Sequence, residues 1–315
     1  MTIMSAETAT DRLEGRVALI TGGGRGVGRA TALAIGAAGA AVMVTARSVA
    51  EIEETASLIE AAGGRAVAYP ADVTDLDSLR KMLAVTESEL GKPTLLMNNA
   101  GGGERGGNGP FETIEPDAIV AGLQVNLIST MLLTRLVLPG MLEQGEGRII
   151  NVASGAGMMA MPFLAPYCVG KTGVIRFSEA LALELQGRGV SVFSITPGNV
   201  LTNLTAALWP GREQFIAAPP DASPWVFPPG HALEDHGWYP PERAAALCLF
   251  LASGKADALS GRFFSVHYDE AEIAAQAERV DRDQLYALRL TTLDGIEEPI
   301  FYRDPAEVRR SGAVG

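Results

Sequence analysis

The chain alternates between short, strongly apolar runs and longer stretches whose apolar positions recur at helical spacing. The runs are RVALIT (16–21), AAVMVTA (40–46), RAVAYPA (65–71), TLLMNNA (94–100), RIINVAS (148–154) and VSVFSIT (190–196). Each has the length of a strand, and such runs suit strands buried on both faces of a parallel sheet. Helical patterns fill the gaps: from about Val27 to Ala38, around 49–62, around 75–90, near 116–142, and from about Tyr167. SGRFFSVHYD (260–269) reads as a last strand. Strands alternating with helices predict an α/β fold, a doubly wound parallel sheet covered on both faces. No internal repeat at a solenoid period is visible.

Two stretches break the rhythm. From Thr202 to Pro241 the chain is rich in proline and holds Trp209, Trp225 and Trp238. A segment that long and irregular is expected to be a lid or substrate loop. A solvated insertion is the alternative, but exposed tryptophans without a surface to cover are unfavourable. After the last strand a C-terminal extension, 269–315, carries a helical pattern from Ala271 to Leu290 and ends in the polar RRSGAVG. Residues 1–12 read as a loose N-terminal tail, leaving 13–268 as a single domain that includes the 202–241 loop.

The 315 residues are 47% apolar and 20% charged, an ordinary globular balance. A net charge of -12 argues against nucleic acid as a partner, since a polyanion needs a basic footprint. Two cysteines, Cys168 and Cys248, do not make a disulfide framework. Cys168 as a catalytic thiol is disfavoured, because none of the three histidines has an evident base relationship to it. No signal-peptide pattern and no unbroken apolar run long enough for a bilayer is seen, so no membrane association is expected and the cytoplasm is the default location.

TGGGRGVGRA follows the first run and opens the first helix. Glycine permits positive φ and lets the backbone approach a ligand without a Cβ in the way. The helix N-terminus then offers free N–H groups and partial positive charge to a pyrophosphate. A tight strand-to-helix turn needs glycine for steric reasons alone; the strand–turn–helix context is what points to a dinucleotide. The second run ends in Thr45-Ala46-Arg47-Ser48, where NAD-binding folds usually place an acidic residue for the adenosine ribose. Arg47, with Arg25 in the glycine loop and no competing carboxylate, suits the 2′-phosphate of NADP. NADP(H) is the expected cofactor and NAD(H) the alternative; two merely exposed arginines are the bland reading.

Tyr167 and Lys171 are four residues apart and share a face if their segment is helical. An ammonium beside a phenol favours the phenolate and lowers its pKa. Ser154, at the end of RIINVAS, adds a hydroxyl that holds a substrate oxygen while the tyrosine moves its proton. A tyrosine and lysine at this spacing also occur by chance on helix surfaces, so the neighbouring motifs decide.

Taken in order, these motifs resemble the short-chain dehydrogenase/reductase family over roughly 14–268. Thr21-Gly22 through Gly26 and Gly28 match its glycine motif, with Gly24, Arg25 and Val27 inside it. Asp72-Val73 match the pair at the adenine, and Asn98-Asn99-Ala100-Gly101 match its NNAG. Asn126 matches the helix asparagine, Ser154 the serine, and Tyr167 and Lys171 the YxxxK pair. Pro197-Gly198 and Thr202, with Val200 between, match the PGxxxT stretch at the nicotinamide end.

The resemblance implies a Rossmann fold and hydride transfer between NADP(H) and a small-molecule carbonyl or alcohol. Tyr167 is then the general acid and base, and Ser154 orients the substrate oxygen. Lys171 lowers the tyrosine pKa and binds the nicotinamide ribose, and Asn126 holds a water for proton relay. Plainer readings remain for two of them: Asn126 as a residue that caps or kinks its helix and Ser154 as a strand end. Homodimers or homotetramers are implied as well. The end of the chain departs from the family's Asp-Gly-Gly-like turn, having Val266-His267-Tyr268-Asp269-Glu270, which puts the usual tetramer contacts in doubt.

Met158, Met159, Met161, Pro162 and Phe163 lie between Ser154 and Tyr167, in the stretch that lines the pocket in that family. Methionines adapt to irregular apolar shapes, so a bulky apolar or aromatic substrate is expected. Subunit packing is the alternative use for the same stripe. A non-catalytic NADP-binding protein on this fold, or a relative acting on C=C bonds, are the other functions weighed; the intact serine, tyrosine and lysine speak against both.

Overall fold

The computed structural model describes residues 12–102, 107–200 and 238–288. Six strands follow the sequence order: β1 (Val17–Thr21), β2 (Ala41–Ala46), β3 (Arg65–Pro70), β4 (Leu95–Asn98), β5 (Gly147–Val152) and β6 (Val190–Thr196). A short parallel ladder joins β7 (Asn199–Val200) to β8 (Trp238–Tyr239), and β9 (Phe263–Ser265) ends the main sheet. The helices are α1 (Gly26–Ala37), α2 (Val49–Ala61), α3 (Leu76–Glu89), α4 (Pro116–Leu123), α5 (Ser129–Gln144), α6 (Ala165–Glu184), α7 (Pro241–Ala252), α8 (Glu270–Ala275) and α9 (Ala277–Arg282).

The main sheet has seven parallel strands in the order β3-β2-β1-β4-β5-β6-β9. Successive residues of a strand point to opposite faces, and each run supplies both. Ile20, Val42, Val44, Ile150 and Phe193 join the layer with Ile35 of α1, Ile52 of α2 and Leu247 of α7. Leu19, Met43, Ile149 and Val192 face Leu79, Met82, Leu133 and Met141 on the other side. Burial on both faces is why the runs show little polar alternation. The order reverses between β1 and β4, so the turns after these two strands frame the crevice where open α/β sheets bind ligands.

Three elements differ from their sequence patterns. The 116–142 helix is continuous from Pro116 to Gln144 but widens into a π turn at Gln124–Ile128. With a mean hydropathy of 1.5 it is long and apolar enough to cross a membrane, which a count of unbroken apolar runs overlooks. Here Leu133, Val137 and Met141 bury one face on the sheet, while Val120, Ile128 and Met131 remain exposed. The last strand holds only three residues, because the chain turns at Ser265 and Asp269 caps α8 through the N–H groups of Ala271 and Glu272. The single helix expected over 271–290 is broken at Gln276, and beyond Arg282 the chain leaves helical geometry, with Gln284 and Tyr286 at φ of 50° and 55°. Ile273 and Val280 of this segment are buried in the main core.

Candidate active site

β1 ends at Thr21 and the chain turns at once into α1. Gly22 and Gly26 lie at φ of 65° and 55°, a region side chains disfavour. At Gly28 a Cβ would stand 2.2 Å from the Gly22 carbonyl oxygen, so only glycine lets the first turn of α1 close under the loop. Arg25 precedes α1 without capping it, and no acidic residue occupies the first turn. An uncapped helix N-terminus wrapped by glycines fits a dinucleotide pyrophosphate.

The turn after β4 is stitched to this loop. The Thr21 hydroxyl accepts the N–H groups of Asn99 and Ala100, each at 3.0 Å. The Asn99 amide donates to the carbonyls of Thr21 and Gly22 at 2.9 and 3.2 Å. Asn99 is thus a scaffold of the cradle. Beneath it, Asn98 donates to Asn151 Oδ1 at 2.8 Å and to Thr134, and Asn151 donates to the Ser178 hydroxyl on α6. This buried chain ties β4, β5 and α6 together. Sequence reading passed over Asn151 and Ser178, for their spacing gives no sign that they meet.

At the adenosine end, Val73 is buried. Asp72 accepts the N–H and hydroxyl of Thr74 on one oxygen, at 2.9 and 2.7 Å, shaping the turn into α3. Ala46 closes β2 and Arg47 is exposed beside it. The expectation of no competing carboxylate is overturned: Glu51 lies 3.7 Å from the Arg25 guanidinium. The first turn of α2 passes under the glycine loop, where a Cβ on Gly24 would meet that of Glu51 at 2.8 Å. Linear distance from Arg25 hid this neighbour.

The expected catalytic residues come together beside Gly101. A Cβ there would lie 3.0 Å from Asn126 Oδ1 and 3.3 Å from Lys171 Nζ. Asn126 sits in the π turn, buried, donating to the carbonyls of Gly102 and Gly122 at 2.8 and 3.1 Å and accepting the Gly102 N–H. Kinking its helix and standing beside the lysine are therefore one arrangement. Lys171 is buried, donates to the Val152 carbonyl at 2.9 Å, and has its Nζ 5.8 Å from the centre of the Tyr167 ring. Ser154 caps a 3₁₀ turn, accepting the Ala156 N–H at 3.2 Å, and its hydroxyl favours the Tyr167 phenolate.

The lowered phenol expected from the sequence is not what the isolated chain has. Tyr167 is half-buried, and its partial removal from solvent pushes the phenol above its ordinary range, with the Ser154 hydroxyl acting the other way. The lysine does not reverse this, because its own burial brings it down to about 8 and leaves it only partly charged near that pH. Of the cysteines, Cys248 is buried and its thiol is pushed up to about 12, while Cys168 lies partly exposed next to Tyr167.

Gly198, at φ 71°, takes Val266 and Tyr239 as neighbours, both within 3 Å of where its Cβ would be. Val200 is buried in the β7–β8 ladder, which closes the base of the proline-rich loop. The Tyr239 hydroxyl lies 3.1 Å from His267 Nδ1, linking that base to the chain after β9. Neither residue was singled out from the sequence. Thr202, Trp209 and Trp225 lie outside the described residues, as does most of the 202–241 loop. Met158, Met159 and Phe163 are exposed, and Phe163 holds a left-handed φ of 64° while its carbonyl accepts the Gly109 N–H.

The family model for short chain dehydrogenases matches residues 16–213. Over 265 residues, 81% of this chain and 96% of the other, the sequence is 35% identical to 3-oxoacyl-(acyl-carrier-protein) reductase of Synechocystis. A crystal structure assigned as an NAD(P)-dependent gluconate 5-dehydrogenase from Beutenbergia cavernae, with bound NADP, is 32% identical with a TM-score of 0.70, covering 82% of this chain and 97% of that one. A 7α-hydroxysteroid dehydrogenase complexed with NADH and 7-oxo glycochenodeoxycholic acid also gives 0.70, at 28% identity over 81% and 94% of the two chains. By the extent of the family match and the identity held over most of both chains, the protein belongs to the short chain dehydrogenases, oxidoreductases that use NAD(P)(H).

Proposed function

We propose that the protein interconverts a ketone or aldehyde and a secondary alcohol with NADP(H), Tyr167 serving as general acid and base. The observation that carries this is the meeting of Asn126 and Lys171 beside Gly101, with the centre of the Tyr167 ring 5.8 Å from Lys171 Nζ. Bound NADPH supplies the hydride; the chain supplies position and proton. Gly22, Gly24, Gly26, Val27 and Gly28 receive the pyrophosphate, and Arg25 and Arg47 the 2′-phosphate. Pro197, Gly198 and Val200 border the nicotinamide end. Ser154 hydrogen-bonds the substrate oxygen through its hydroxyl and keeps its own proton. Tyr167 passes its proton to the same oxygen as negative charge develops there. Lys171 and Asn126 lead towards solvent for reprotonation.

Near neutral pH the Tyr167 phenol carries its proton, the form that serves as acid in carbonyl reduction; the net direction follows from the ratios of the cofactor and substrate forms. An acid must carry its proton, and a phenol held above its usual range carries it throughout that region. A bulky apolar substrate is supported by exposed Met158, Met159 and Phe163 between the serine and the tyrosine. Self-association through the exposed side of the Pro116–Gln144 helix and α6, and a cytoplasmic location, complete the reading. Replacing Tyr167 by Phe keeps the ring and removes the proton. Reductase turnover should fall by about a hundredfold or more while NADPH still binds; near-normal turnover would refute the mechanism.

A further inference from the structure

We infer that the C-terminal stretch 284–288 is a positioning element for the proposed catalytic group, closing a small hydrophobic cluster against which Ser154, Lys171 and Asn126 are all set. The cluster consists of Ala153, Val174, Ile175 and Phe263, with Leu127 and Leu288 packed against it. Ala153 precedes Ser154, Leu127 follows Asn126, and Val174 and Ile175 lie about one turn beyond Lys171 on α6. Its members therefore neighbour Ser154, Asn126 and Lys171 along the chain, and Tyr167 lies one turn before Lys171 on the same helix. Leu288 is the member contributed by the C-terminal extension.

Its backbone is held at both polar ends by α6. The Leu288 N–H donates to Glu179 Oε1 at 2.7 Å, and its carbonyl accepts from Arg176 at 2.9 Å. Arg176 and Glu179 are themselves paired at 2.6 Å, and the Glu179 side chain is largely buried. Two residues earlier the Tyr286 carbonyl accepts the Phe263 N–H at 2.9 Å, so the segment also covers the outer edge of β9. Gln284 and Tyr286 hold left-handed φ values, which persist only where surrounding contacts over-determine them. A loosely attached appendage would relax both.

The consequence reaches the site through packing. Val152 and Ala153 lead into Ser154, and the Val152 carbonyl receives the Lys171 ammonium. At Gly157 there is no room even for a Cβ, which would come within 2.9 Å of Ile175 Cδ1. With the inner side this tight, loosening the outer wall lets α6 move against β5 and parts Ser154 from Tyr167. Displacements of about 1 Å cost catalysis heavily.

This rests on the roles proposed above for Ser154, Tyr167 and Lys171, and the test separates the two. Leu288→Ala and the surface variant Arg176→Ala are compared with wild type and with Leu288→Met, at temperatures where all are folded. Leu288→Ala should lower kcat about tenfold with the KM for NADPH unchanged, and Leu288→Met should restore most of it. The upper limb of the pH profile should move up as Lys171 gains access to water. Variants with lower melting temperatures but wild-type kcat and pH profile would overturn the inference. If wild type binds NADPH yet turns over no carbonyl or alcohol, the proposed function fails instead. Alkylation of Cys168, beside Tyr167 on α6, then tests positioning independently of turnover: acceleration in Leu288→Ala upholds it and an unchanged rate overturns it.

Discussion

Lys171 illustrates how function is built at the expense of stability. A basic group whose pKa falls on folding binds its proton less tightly in the folded state. The cost of its burial is therefore fully present below about pH 8 and is relieved as pH rises from about 8 towards 10.5. A shift of this size corresponds to a few kcal/mol, on the order of 3. Lys171→Met removes the charge but leaves the Val152 carbonyl without its ammonium partner. At pH 7 it should gain about 1–2 kcal/mol net and lose turnover. Thermal unfolding across pH checks the sign: the advantage over wild type must shrink between pH 8 and 10.5, and an advantage that grows there would contradict the burial argument. At the adenosine end, Glu51 competes for Arg25 at 3.7 Å across partly exposed surface, so the pair itself is weak. Glu51→Gln should tighten NADPH by about threefold with little change for NADH, whereas Arg47→Ala should weaken NADPH alone. Equal effects on both cofactors, measured by fluorescence titration, would remove these arginines from the 2′-phosphate.

At the scale of elements, the segment between Ser154 and Tyr167 is where packing gives way to strain. Phe163 is 63% exposed and left-handed, a combination that neither burial nor backbone preference explains. Phe163→Gly relieves the backbone at no cost in buried contacts, partly offset by glycine's greater unfolded-state entropy. It should leave stability unchanged or raised by up to about 1 kcal/mol, yet increase KM for large apolar ketones more than for small ones. An equal KM change across the panel would assign Phe163 to another surface. The family resemblance makes this segment an expected pocket wall, with subunit packing as the alternative; its exposure and strain left no sign in the sequence. The strands and helices of the sheet were legible because each apolar run feeds both faces, a pattern local in sequence. The π turn at Asn126 was not, since it is fixed by the Gly102 backbone far along the chain. Nor were the Glu51–Arg25 pair and the break at Gln276, which depend on which helices lie side by side.

For the whole molecule, the question is what covers the apolar surface the fold leaves outside. Val120, at 65% exposure, Ile128 and Met131 project from the Pro116–Gln144 helix, and Val169 and Leu183 from α6, the helix packed beside it. Scattered exposed apolar residues need no explanation, but five on two adjoining helices, one carrying Asn126 and the other Tyr167 and Lys171, suit an interface. A bilayer is the other apolar partner that the long helix would suit by length and composition. The two diverge in one measurement. If copies of the chain meet here, Val120→Asp with Met131→Lys should convert the wild-type assembly to monomer in sedimentation velocity, with the protein remaining in solution throughout. Because the same helices hold the residues proposed as catalytic, the monomer should also lose part of its turnover, recovered as its concentration is raised. A wild-type protein already monomeric, or one recovered only with vesicles, would reassign the face. At the β9 edge the Tyr286 carbonyl takes the Phe263 N–H, while β3 (Arg65–Pro70) forms the opposite edge of the sheet. Strand edges are open to pairing only while their N–H groups are unmet. An isologous contact through the helical face gives a two-fold pair, so the expected mass is that of a dimer; a tetramer surviving both substitutions would require a further interface elsewhere on the molecule.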